Sequence, residues 1–176
     1  MDFSEISRRG LVMLGCGKMG SAMLAGWLDR GLDPASVHVI DPYPSDWLRA
    51  QDVVINGPMP DHPAVLMIAV KPQMMQEALP QVARFGGGGT LILSVAAGTP
   101  IAAYEAAFGA ATRVIRAMPN TPAVVGKGIS AIIGNATTTA ADLDMAEGLL
   151  SAIGKVVRLS DEDQIDAVTG LSGSGP

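Results

Sequence analysis

An α/β fold built on a doubly wound, mainly parallel sheet with helices on both faces is predicted by three features of the 176-residue sequence. Apolar runs of strand length alternate with segments of helical periodicity, the pattern that closes into a parallel sheet through right-handed crossovers. The runs are continuous rather than every-other-residue, as expected of strands covered on both faces. A glycine-rich segment, residues 15–20, joins the first apolar run to the first helical one.

The elements follow in order. Residues 1–9 carry Arg8 and Arg9 ahead of a short apolar stretch, too short for the hydrophobic region of a signal peptide, and read as a flexible leader. Leu11–Leu14 is the first strand, closed by Gly15. From Lys18 to Arg30, the residues Met19, Ala22, Met23, Gly26 and Trp27 recur at helical spacing. Residues 37–40 form the next strand, stopped by Asp41-Pro42-Tyr43-Pro44, where two prolines forbid its continuation. A short helix over 46–51 and a strand over 53–55 come next. Residues 65–70 are a buried strand ended by Pro72, followed by a helix over 73–84, a turn at 86–89, a strand over 90–95, a helix over 100–108 and a strand over 113–115. Beyond Pro122 the pattern loosens into strands at 128–133 and 155–157 around a helix over 140–153, additions to the sheet's edge. A last helix over 161–168 is predicted, with Ser160 as N-cap and Asp161, Glu162 and Asp163 in its first turn. Gly170-Leu-Ser-Gly-Ser-Gly-Pro176 follows directly, the expected boundary to a second domain.

Composition excludes several classes. Hydrophobic residues are 48% and charged residues 16%, which is globular rather than disordered. The aromatic residues are only two Trp, two Tyr and three Phe, so Val, Ile, Leu, Ala and Met must build the core. A net charge of −5 without a basic cluster predicts no nucleic-acid or anionic-membrane partner. Cys16 is the sole cysteine, so there is neither a disulfide framework nor a thiol-rich metal site. No run approaches the roughly 20 apolar residues of a membrane span, and a cytoplasmic location is expected.

Gly15-Cys16-Gly17-Lys18-Met19-Gly20 fits G-x-G-x-x-G and sits where the mechanism of that motif demands, between the first strand and the first helix. Gly15 permits a tight turn, Gly17 lets a diphosphate approach the backbone, and Gly20 allows close helix–sheet packing, while the helix N-terminus offers free N–H groups. This makes the predicted fold Rossmann-type and the cofactor a dinucleotide. Cys16 reads as a small loop filler rather than a nucleophile, since no neighbouring histidine supports thiol chemistry. Asp41 ends the second strand 21 residues beyond Gly20, the place of a ribose-binding acid. A carboxylate there accepts from a 2′-hydroxyl and repels a 2′-phosphate. At an effective dielectric near 20, two unit charges about 4 Å apart cost roughly 4 kcal/mol. That favours NAD(H) over NADP(H). The alternative is an aspartate that merely initiates the turn before Pro42, so both cofactors stay open.

Four further segments carry a resemblance. With the glycine loop, Ala69-Val-Lys-Pro72, Ser94-Val-Ala-Ala-Gly98, Arg113-Val-Ile-Arg-Ala-Met-Pro-Asn-Thr-Pro122 and Asp166-Ala-Val-Thr-Gly-Leu-Ser-Gly-Ser-Gly-Pro176 resemble, in order, the motifs of the pyrroline-5-carboxylate reductase family. The resemblance implies that Ala69, Val70, Lys71 and Pro72, and likewise Ala96, Ala97 and Gly98, touch the cofactor with their backbone. Both stretches lie at the C-terminal ends of predicted strands, where ligands bind in open α/β sheets. Lys71 assists a ribose or phosphate, or is solvated surface. Asn56 is placed on the adenosine side. The 118–122 loop lies by the nicotinamide, where Asn120 and Thr121 orient the carboxamide or substrate, or simply hold a turn. Glu162 matches a family acid near the proline-ring nitrogen, or serves a helix N-terminus. No catalytic residue is assigned.

The implied reaction is hydride transfer from NAD(P)H to the C=N carbon of 1-pyrroline-5-carboxylate, giving L-proline, the last step of proline biosynthesis. A protonated cyclic imine is already electrophilic, so orientation carries much of the catalysis. This suits a sequence with no Ser-His-Asp set or metal-ligand cluster, and with only His38 and His62, both read as structural or exposed. Two departures from the family are visible. Asp41-Pro42 stands where many members have a small or basic residue, which bears on their usual NADPH preference. The family's all-α C-terminal domain, which by the resemblance forms the homodimer or higher homo-oligomer and holds the substrate carboxylate, is expected to lie outside these 176 residues. The expected organisation is therefore a leader (1–9), a NAD(P)-binding domain (10–159) and the start of the helical dimerisation and substrate domain (160–176), binding cofactor with little or no reductase activity. The alternatives are another imine or β-hydroxyacid reductase of the same N-terminal fold, and a non-catalytic nucleotide-binding module.

Overall fold

The two strands over residues 11–14 and 65–68, at the middle of the sheet, are apolar at every position because each face of the sheet carries its own helical layer. In the computed structural model, which describes residues 1–169, the strands are β1 (Leu11–Leu14), β2 (Val37–Ile40), β3 (Val54–Ile55), β4 (Val65–Ile68), β5 (Leu91–Ser94), β6 (Arg113–Met118), β7 (Gly128–Gly134) and β8 (Gly154–Arg158). They form one sheet in the order β3-β2-β1-β4-β5-β6-β7-β8. All pairs are parallel except β6 with β7. The expected mainly parallel, doubly wound sheet is thus the observed one, with β7 and β8 added at its edge.

Alternation sorts the strand residues onto two cores. Leu11, Met13, Val65, Met67, Leu91, Leu93, Ile115 and Ala117 pack on one face, against Met23, Leu24 and Trp27 of α2 (Lys18–Asp29) and Leu149 and Leu150 of α6 (Ala140–Leu150). Val12, Leu14, Leu66, Ile68, Ile92 and Val114 pack on the other, against Met75 and Ala78 of α4 (Met75–Ala78) and Tyr104 and Phe108 of α5 (Ile101–Phe108). Trp27 is fully buried and its indole N–H donates to the Leu149 carbonyl at 2.9 Å, joining α2 to α6. Thr139 and Asp142 form a capping box at the start of α6, and Asp142 is also ion-paired with Arg113 of β6.

Several boundaries move for identifiable reasons. The helix expected over 73–84 is broken into α4 and short 3-10 turns at Pro72–Met74, Leu79–Gln81 and Ala83–Phe85, because Pro80 removes a donor and clashes with the preceding turn. The small α3 (Asp46–Arg49) is capped by Ser45, whose hydroxyl accepts from the Leu48 N–H. The last helix, α7 (Asp163–Val168), starts two residues later than predicted. Ser160 is not its cap. Instead the Gln164 side-chain oxygen turns back to accept from the Ser160 and Asp161 N–H groups.

Residues 1–9 are not the expected flexible leader. Residues Ser4–Arg9 form α1, with Phe3 and Ile6 buried in the core. Arg9 fastens the helix to the N-terminal edge of the sheet, its guanidinium donating to the carbonyls of His62 (3.1 Å), Pro63 (3.1 Å) and Gly89 (2.6 Å). The i, i+3 spacing of Phe3 and Ile6 was the available sequence signal, too short to register as a period. A docked α1 predicts that Ile6→Ala lowers stability by about 2–4 kcal/mol, the cost of emptying a filled core site. Urea unfolding measures this, and a loss within experimental error would mean that the helix is undocked.

Candidate functional site

Three strands end level at the C-terminal edge of the sheet, since Leu14 pairs with Ile40 on one side and Ile68 on the other. The order turns here: β2 and β3 lie to one side of β1, and β4 to β8 to the other. At such a switch point the loops diverge and leave a crevice. A cavity of about 460 Å³ opens there.

Its floor is the glycine loop. Gly15 has φ +85, and a Cβ on it would meet Val70 Cγ1 at 2.8 Å and the Ala69 carbonyl oxygen at 3.0 Å. Only glycine fits. Gly20 lies under the same turn, a Cβ there standing 3.1 Å from the Gly15 oxygen and 3.7 Å from Ala69 Cβ, so α2 rests directly on the sheet. Gly17 differs. It is exposed, and a Cβ built on it meets no atom within 4 Å. The backbone at the mouth of α2 therefore faces open space.

Asp41 is fixed on both ends of its carboxylate. Oδ2 accepts from the Cys16 N–H at 2.9 Å and Oδ1 from the Tyr43 N–H at 2.8 Å. Asn56 clasps the same residue's backbone: the Asp41 N–H donates to Asn56 Oδ1 (2.9 Å) and Asn56 Nδ2 donates to the Asp41 carbonyl (2.7 Å). Among the described residues Asn56 is the one non-glycine with positive φ, +50, a conformation asparagine tolerates better than most. Cys16 is buried, and burial first, then the nearby Asp41 charge, push its thiol above the ordinary range, so it is not a poised thiolate.

Of the residues singled out in the sequence, Gly15, Cys16, Gly17, Asp41, Asn56, Ala69, Val70 and Lys71 line the cavity together. Lys18, Met19 and Gly20 belong to α2 behind it, and Pro72 starts the turn beyond Lys71. Ala96, Ala97 and Gly98 (φ +72) form the loop after β5, further along the same edge. Asn120 holds its own loop, Oδ1 accepting from the Ile129 N–H at 2.9 Å, and Thr121 is exposed at the start of a 3-10 turn. Glu162 contacts Arg116 of β6 at 2.9 Å and accepts from the Ile101 N–H at the start of α5 at 2.8 Å. The Ser172 to Pro176 segment lies outside the described residues. Sequence reasoning missed Tyr43, Met74, Glu77 and Gln81, which complete the cavity wall. Tyr43, 87% exposed, had a usable signal in its place just after Asp41-Pro42; the other three come from the turn and helix that Pro72 and Pro80 reshape.

The fold and this crevice define an α/β domain of the Rossmann type, and the chain belongs to the family described as NADP oxidoreductase, coenzyme F420-dependent, whose model matches residues 10–98. Within that frame it is similar to pyrroline-5-carboxylate reductases, as the motifs predicted. It is 38% identical to that of Pseudomonas aeruginosa over 172 residues, covering 94% of this chain and 63% of the relative. It is 36% identical to that of Methanosarcina acetivorans, covering 93% and 63%. The structure of the Coxiella burnetii pyrroline-5-carboxylate reductase superposes with a TM-score of 0.88 at 28% identity, over 96% of this chain and 65% of that one. The chain thus spans less than two thirds of these relatives' length.

The contrast between the two loop glycines gives a prediction. Gly15→Ala is expected to cost about 2 kcal/mol, from positive φ and the clash with Val70, and Gly17→Ala to stay within about 0.5 kcal/mol of native. Thermal or urea unfolding checks both, and equal losses would contradict the loop geometry.

Proposed function

We propose that the full-length protein reduces 1-pyrroline-5-carboxylate to L-proline with NAD(P)H, the last step of proline biosynthesis, and that residues 10–159 form its cofactor-binding domain. The observation that carries this reading is the open space in front of Gly17, at the N-terminus of the 12-residue α2 and beside the cavity. Free N–H groups and the positive end of a helix dipole suit a diphosphate there, and a Cβ would intrude on it. When bound, the reduced nicotinamide supplies the hydride. The chain's own part is to bind and orient: Gly15, Gly17 and the first turn of α2 hold the diphosphate, the Asp41–Tyr43 wall takes the adenosine half, and the loops at 95–98 and 118–122 take the nicotinamide half.

Two carboxylates, Asp41 and Glu77, and one ammonium, Lys71, are the charged groups of the cavity wall. Asp41, pinned by Cys16 and Tyr43, cannot swing away from a 2′-phosphate without breaking both hydrogen bonds. This supports NADH over NADPH in this chain, and a ribose-binding role for Asp41 beyond the turn it also makes. The cytoplasmic location remains part of the proposal, and the homodimeric or higher assembly of the full-length protein is carried over from the resemblance. Among the described residues, no helix is long and apolar enough to cross a membrane.

Titration with NADH is expected to give a saturable signal that Gly17→Ala weakens by about tenfold or more, about 1.4 kcal/mol. Native affinity in Gly17→Ala would overturn the diphosphate placement. Asp41→Ser is expected to raise the NADPH-to-NADH preference by about tenfold at low salt and less at high salt, as a screened charge effect should. An unchanged ratio would mean that Asp41 does not face the ribose. Turnover of a β-hydroxyacid without turnover of the cyclic imine would reassign the substrate.

A further inference from the structure

Beyond the cavity, the C-terminal edge of the sheet carries a buried polar row for which the proposed chemistry has no direct use. Arg116 of β6 is 6% exposed and pairs in register with Ser94 of β5, so both stand on the face covered by α5. Ser94 and Tyr104, both fully buried, hydrogen-bond side chain to side chain. The Ser94 hydroxyl also accepts from the Ala96 N–H at 3.2 Å. The row therefore reaches the loop at 95–98 that follows β5.

Glu162 completes the arrangement from the far end of the chain. Its Oε1 accepts at once from Arg116 Nη1 (2.9 Å) and from the Ile101 N–H (2.8 Å), the first residue of α5. One carboxylate oxygen thus ties three elements: β6, two residues before Met118 and the 118–122 loop; α5, directly after the 95–100 loop; and the segment leading into α7, whose Ile165 is buried on the same face. A buried guanidinium needs a partner, and a helix start needs acceptors for its free N–H groups. Glu162 meets both needs with one atom, so its position fixes the distance between the two loops. The cavity lies over the ends of β1, β2 and β4, which leaves the edge of β5 and β6 for the other half of an extended dinucleotide.

We infer that Glu162 is a positioning residue, acting through Arg116 and the first turn of α5 to set the spacing of the loops at 95–100 and 118–122 that receive the nicotinamide half of the cofactor. This inference rests on the dinucleotide reading above.

The test compares NADH with AMP, which probes the adenosine side alone, by titration of the intact chain. Glu162→Asp keeps a carboxylate opposite Arg116, which protects the fold, but is one methylene too short to span both donors. Glu162→Gln keeps the length and an acceptor oxygen. The ratio of NADH to AMP affinity is expected to fall about tenfold in Glu162→Asp and to stay within about twofold of native in Glu162→Gln, the scale of one charge-assisted hydrogen bond. An unchanged ratio in Glu162→Asp, equal weakening of both ligands, or a Glu162→Gln variant as impaired as Glu162→Asp would overturn the inference. A native chain that binds neither ligand would overturn the dinucleotide reading and this inference with it.

Discussion

The pairing of β1 with β2 on one side and β4 on the other, with Leu14, Ile40 and Ile68 in one row, is the constraint on which the site depends. Because three strands end level, their loops leave the sheet at one height, and the next hydrogen bonds tie them together. The Gly15 N–H donates to the Ile40 carbonyl and the Ala69 N–H to the Leu14 carbonyl, both at 2.8 Å. This draws Gly15 against Ala69 and Val70 until no side chain fits. The tight turn is a packing requirement of the sheet before it is anything else. Its consequence is that α2 begins right beside the crevice, its N-terminal Gly17 forming part of the lining.

Polar groups at this edge serve fixed backbone partners more than they serve solvent. Asp41 holds Cys16 and Tyr43, Asn56 holds Asp41, Asn120 holds Ile129 and Glu162 holds Ile101. Loops after parallel strands lack ladder partners, so their N–H groups must find acceptors elsewhere. Side chains that resemble ligand contacts in sequence are here also the girders of the crevice. The two roles are compatible, because a carboxylate oxygen accepts more than one hydrogen bond and a pinned group is pre-oriented.

Much of this was legible in the sequence. Continuous apolar runs gave β1, β4 and β5 because burial on both faces removes alternation, and the glycine spacing located the turn because each glycine has a separate steric cause. What escaped notice has equally physical reasons. Ile6 and Phe3 cover too little chain to form a period, yet Arg9 reaches across more than 50 residues in sequence to fasten them, a contact no local pattern encodes. Pro80 lies in a window otherwise apolar enough for a helix, and its missing N–H outweighed that propensity. Arg116 sits in a strand whose neighbours are hydrophobic, and its partner is 46 residues away. The sequence allows two roles each for Asp41, a ribose contact or the start of a turn, and for Glu162, a contact near the substrate ring or an acid at a helix N-terminus. The structure gives Asp41 the turn bond, from the Tyr43 N–H, and gives Glu162 a bond from the first N–H of α5 rather than from the helix nearest to it in sequence.

The placement of the two tryptophans gives the domain two separate optical reporters. Trp27 is sealed between α2 and α6, and its indole is held by the Leu149 carbonyl, so its emission belongs to a dry, rigid setting and shifts red only when those helices part. Trp47, 38% exposed on α3 just past the Asp41–Tyr43 wall, sits in water and senses its immediate surroundings. Light from one residue follows the integrity of the core while light from the other comes from the surface of α3. Parting of the core helices can then be followed against a surface signal in a single fluorescence spectrum without attaching a dye.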